Sequence, residues 1–87
     1  GNKYSLIYNT YKDKNYREII NVLKPILIDV QIIKVDDKRI VKQELLEETL
    51  SQLDVKYRNF NGIDDKEHYL VFGSFSVVEA FLKVYYE

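Results

Sequence analysis

At 87 residues, with 46% hydrophobic and 31% charged side chains and a formal net charge of -1, the chain suits one small soluble domain. Such a length buries only about 60–65% of the unfolded surface, so the core has little margin. The near-neutral charge argues against a general nucleic-acid binder, which needs a basic excess to displace counterions. The absence of cysteine excludes disulfide frameworks, thiolate chemistry and cysteine-ligated zinc, and it fits a reducing, cytoplasmic compartment.

No apolar run reaches the roughly 20 residues of a membrane span, and the first residues do not resemble a secretory signal. The start almost directly on a strand, together with the small size, is the expectation for a piece of a longer protein.

Residues 4–9 form a β-rich run and 10–15 a polar loop. A helix follows, with Asn15 as N-cap and Glu18 three residues on, as in a capping box. Its apolar positions are Tyr16, Ile19, Ile20 and Leu23. Pro25 ends or kinks it, since proline donates no N–H and restricts Lys24. Residues 29–35 read as a strand covered on both faces, and 36–39 as a charged loop. A second helix spans about residues 41–53, with Leu45, Leu46, Thr49, Leu50 and Leu53 as its inner stripe.

Residues 55–60 alternate like a shorter strand near an edge. A polar connection, 61–68, leads to a last strand at 69–72. The final helix presents Val78, Phe81, Leu82 and Tyr85 on one face, and Ser76 with Glu79 makes a second capping box.

The order β-α-β-α-β-β-α predicts a single Rossmann-like, three-layer α/β domain: a mostly parallel sheet of about four strands with three helices. Connection 61–68 is short for a parallel crossover, so either it crosses economically or one neighbouring pair is antiparallel. In such sheets ligands gather at the carboxyl ends of strands, where a helix N-terminus offers free N–H groups. Gly73 and Ser74 occupy that position after the last strand.

Two segments together resemble the C-terminal domain of folylpolyglutamate synthases, including the bifunctional dihydrofolate synthase forms, within the Mur-ligase-like amide ligases. Residues 6–16, with Asp13 and Lys14 between strand and helix, are similar to that family's strand, glycine, Asp-Lys-Asp and helix. Residues 70–79, with Gly73 and Ser74, resemble its closing strand, Gly-Ser and helix. Between them, Asp37, Lys38 and Arg39 are similar to an Asn-Pro-Arg-Ala segment. The sequence departs from the pattern at Asn9, where the family has glycine, at Asn15, where it often has a second aspartate, and between residues 60 and 68, where a helix is largely lost.

The resemblance implies an ATP-dependent ligation. A folate or dihydropteroate carboxylate is phosphorylated, and the amine of L-glutamate attacks the acyl phosphate. It assigns Asp13, Lys14 and Tyr16 to the nucleotide, and Ser74, Lys14 and Arg39 to glutamate. No phosphate loop of the form Gly-x-x-x-x-Gly-Lys-Ser/Thr is present. ATP and Mg2+ would therefore be held mainly by a central ATPase domain of the same chain, and these residues alone would be inactive.

Ordinary readings stand beside these. Asp13 serves equally as a turn or capping residue, Lys14 as a solvated cation and Arg39 as a surface charge. His68 reads as exposed rather than as a general base. The pairs Asp36/Asp37 and Asp64/Asp65 read as solvated turn carboxylates, and the eight tyrosines as core and rim packing rather than RNA-stacking platforms. The rival function is a non-enzymatic α/β ligand-sensing or protein-interaction module.

Overall fold

A computed structural model describes residues 3–86. Strand β1 (Tyr4–Tyr8) is buried from Ser5 onward and forms the spine of the domain. Helix α1 (Tyr16–Leu23) follows the loop. The Glu18 amide donates to Asn15 Oδ1 at 3.3 Å, so Asn15 caps the helix as expected. Glu18 Oε2, however, accepts from the Asn15 side-chain Nδ2 at 2.9 Å and not from its backbone N–H, so only the first half of the capping box forms. At Pro25 the chain tightens into a 3-10 turn (Lys24–Ile26) and enters β2 (Leu27–Ile32).

Helix α2 (Gln43–Gln52) leads to a three-residue strand β3 (Tyr57–Asn59), exposed as an edge strand should be. Strand β4 (Tyr69–Phe72) and helix α3 (Phe75–Tyr86) complete the domain.

The sheet runs β3-β2-β1-β4, and every neighbouring pair is parallel. The antiparallel alternative is thereby excluded. Strands β3 and β4 lie on opposite edges, three strand spacings or about 14 Å apart. The intervening residues 60–68, extended, reach about 30 Å, so they return across the sheet without a helix.

Alternation along β1 divides the interior in two. Leu6 and Tyr8 face α1 and α2, joining Ile20, Val30, Ile32, Leu46, Leu50 and Val55 in the larger cluster. Ile7 faces α3 and joins Ile33 and Val77, with Phe60, Val71, Ala80 and Phe81 packed against them. Each fully buried Leu or Ile contributes about 1.5–3 kcal/mol, so the first cluster carries most of the stability.

Two helix faces differ from expectation. Leu45 is 49% exposed, while Leu46, Thr49 and Leu50 are buried. On α3 the inward line is Val77, Ala80 and Phe81, whereas Val78, Leu82 and Tyr85 are exposed. Both lines are apolar, so hydrophobicity alone did not distinguish them, and contact with Ile7 and Ile33 selects the one carrying Val77.

No described helix is long and apolar enough to cross a membrane.

Candidate functional site

Because the strands are parallel, their carboxyl ends share one edge. Tyr8 pairs with Phe72, so the loops after β1 and β4 leave side by side. Gly73 makes this closeness possible. Its φ is +142°, and a Cβ there would lie 2.6 Å from the Asn9 carbonyl oxygen and 3.0 Å from Val77 Cγ2. No other residue fits without moving backbone.

Asn9 seals the adjacent strand end: its Nδ2 donates to the Ile33 carbonyl at 2.8 Å, and its Oδ1 accepts from the Thr10 amide at 2.8 Å. The side chain that departs from the expected glycine is thus used to join the ends of β1 and β2.

A cleft of about 370 Å³ opens between the two loops, lined by Tyr11, Lys14, Ile19, Phe72, Gly73 and Ser74. It brings together Lys14 and Ser74, 60 positions apart in sequence. The Ser74 carbonyl accepts from the amides of Val77 at 3.0 Å and Val78 at 3.3 Å, so Ser74 stands at the N-cap of α3. Its Oγ is nevertheless buried without a partner.

The expected capping role of Ser76 is overturned. The helix starts at Phe75, which puts Ser76 inside the first turn. There its Oγ donates to Asp37 Oδ2 at 3.2 Å and lies 2.9 Å from the Tyr11 hydroxyl. A carboxylate only accepts, so Ser76 gives its single proton to Asp37 and Tyr11 donates to Ser76. Arg39 Nη2 donates to the Tyr11 oxygen at 3.0 Å and to Asp37 Oδ2 at 2.9 Å, closing a ring of four side chains.

The guanidinium also lies 4.3 Å from the Tyr11 ring centroid, a cation–π contact. The Arg39 hydrogen bonds, side chain first and backbone second, hold the Asp37 carboxyl well below the usual carboxylate range. The same partner raises the Arg39 pKa.

The remaining sequence candidates fall outside the cleft. Asp13 is exposed in the turn before α1. Tyr16 opens α1 and packs, half-buried, against the larger cluster. Arg39 touches the cleft only through Tyr11. His68 is exposed, and its ring meets Tyr4 edge-on at 6.4 Å.

Sequence reasoning missed Tyr11, Phe72 and the joint role of Asp37 and Ser76. Asp37 is not the solvated turn carboxylate expected. A carboxylate two residues before an arginine was a usable local signal, because Asp37 Oδ1 accepts from both the amide and Nε of Arg39. Nothing local points to the Tyr11–Ser76 pair.

Among the described residues no group of three or more His, Asp or Glu stands close enough to hold a metal. No family model and no curated protein matches the chain. A solved structure does: the crystal structure of Helicobacter pylori folylpolyglutamate synthetase is similar over 98% of this chain, with 39% sequence identity and a TM-score of 0.96. The chain spans 22% of the length of that protein.

Proposed function

We propose that this chain, homologous to part of a folylpolyglutamate synthetase, is the C-terminal domain of an ATP-dependent ligase that joins L-glutamate to a folate or dihydropteroate carboxylate. The observation that carries the reading is the cleft pairing Lys14 with Ser74 at the adjoining ends of β1 and β4, in a domain similar to part of a folylpolyglutamate synthetase.

In this reading the γ-phosphoryl group of ATP passes to the folate carboxylate. The glutamate amine then attacks the acyl carbon, and phosphate leaves with the amide formed. Ser74 Oγ, free of any internal partner, donates to a glutamate carboxylate beside the first amides of α3. Lys14 supplies a mobile positive charge to the same carboxylate or to a phosphate. Asp13 and Tyr16 face the nucleotide sugar and base.

Arg39 acts on glutamate through Tyr11, whose hydroxyl it orients. Positioning by such a domain lowers a barrier by several kcal/mol, and small misplacement forfeits much of it.

The test exchanges the matching part of the H. pylori enzyme for this chain and compares it with its Ser74→Ala form. Loss of one hydroxyl contact, about 1–1.5 kcal/mol, should raise KM for glutamate about tenfold and leave KM for ATP nearly unchanged. A larger change in KM for ATP would move Ser74 to the nucleotide side. An exchanged enzyme that never turns over would sink the ligase reading.

A further inference from the structure

A second cavity lies on the α3 face of the sheet, away from the Gly73 cleft and independent of the ligase reading. It holds about 190 Å³ beneath residues 61–64, with Gln31 and Arg58 in its floor and Tyr69 in its wall. Gln31 and Arg58 are register partners on β2 and β3.

This floor is unusual for a sheet face. Gln31 is only 1% exposed, yet its Nε2 has no hydrogen-bond partner. Ser5 Oγ, Asp29 Oδ1 and Glu67 Oε2 are likewise buried without hydrogen bonds, and register sets Ser5 beside both Asp29 and Tyr69. Of these unpartnered groups only Gln31 lines the cavity, and since an orphaned buried polar group costs about 1–3 kcal/mol in general, its Nε2 calls for a partner there.

Charge narrows what that occupant is. Arg58 approaches Asp29 and Glu67 only loosely, at 3.6 and 3.8 Å, and Asp64 lines the same cavity. The lining itself carries one guanidinium and one carboxylate, Arg58 and Asp64, so the cavity favours no net charge in its occupant. The Tyr69 hydroxyl in the wall stays protonated, its pKa pushed up first by burial and then by the nearby Glu67 and Asp64 charges. The unpaired N–H groups of Gln31 call for an acceptor, which a simple cation does not offer.

What remains is a neutral, dipolar molecule. A side-chain amide complements an N–H beside a C=O, as when glutamine or asparagine reads a base edge in two hydrogen bonds. We propose that the cavity beneath residues 61–64 binds a small uncharged molecule presenting an amide edge, such as a pyrimidine base or a simple amide, read by Gln31 with Arg58 donating to a second acceptor.

The test titrates the 15N-labelled 87-residue chain with uracil. Saturable shifts confined to Gln31, Arg58, residues 61–64 and Tyr69 are expected, with Kd on the order of 1 mM for so small a ligand. Gln31→Met should abolish them while keeping the fold, since it removes a buried unpaired group. Arg58→Ala, at an exposed position, should weaken binding about tenfold, and it decides the matter if Gln31→Met fails to fold. Absence of saturable shifts would mean a water cluster only, roughly six molecules at ~30 Å³ each, and would overturn the proposal. So would equal binding by Gln31→Met, or acetate displacing uracil.

Discussion

Gly73 is the residue on which the cleft depends most directly. Alanine there would force a Cβ to 2.6 Å from the Asn9 carbonyl oxygen at a φ of +142°. Gly73→Ala should therefore cost about 2 kcal/mol or more, read as a lower midpoint in thermal or urea unfolding. Asp37 makes a second prediction.

Folding holds the Asp37 carboxyl below its ordinary range, so the unfolded chain takes up its proton more readily. Its contribution to stability is complete above about pH 4 and drains away as pH falls toward the lower folded pKa. The stability gap between the natural chain and Asp37→Asn should be flat from pH 5 to 8 and shrink from pH 4 to 2 in urea titrations. A gap unchanged at pH 2 would contradict the ring. The Gly73–Ser74 pair was legible in sequence because backbone chemistry announces it. The ring was not, because Tyr11 meets Ser76 across 65 positions and only the parallel pairing of β1 with β4 joins them.

Among the elements, α2 ends in a way that its sequence conceals. Asp54 adopts a left-handed conformation, φ 59°. The Val55 amide donates to the Leu50 carbonyl at 2.9 Å and the Asp54 amide to that of Ser51 at 3.1 Å, the bonding of a Schellman motif. Val55 and Leu50 meet in the larger cluster, which supplies the apolar contact usual in that motif. Glycine suits such a position better, so Asp54→Gly should stabilise the domain by about 0.5 kcal/mol, measured by urea unfolding. A loss of stability would mean that the Asp54 side chain contributes more than its backbone strain costs.

The N-cap of α1 was readable because asparagine and glutamate at the right spacing satisfy donors locally. The inner faces of α2 and α3 were only partly readable, since apolar residues flank the buried line on both helices and tertiary contact makes the choice.

Across the whole molecule, the parallel β/α order was apparent from alternation, and the exclusion of an antiparallel pair came from an extended return spanning the sheet. The two faces are unequal. Helix α3 buries only Val77 completely, whereas α1 and α2 together close the larger cluster and are tied to each other by Arg17 and Gln52. Local opening should follow that inequality. Hydrogen exchange should show amides of α3 and residues 61–68 exchanging faster than those of β1, β2 and α2. Uniform protection would mean that the α3 layer opens only with global unfolding.

The pairing of β1 with β4 also has a mechanical consequence. One strand leads in from the start of the domain, and the other leads out to α3, side by side and parallel. Tension applied between the beginning of β1 and the end of β4 drags the two strands lengthwise past each other. Their hydrogen bonds then share the load instead of opening one at a time. The seam that forms the floor of the Gly73 cleft is thus also the line along which a pull on the domain is borne.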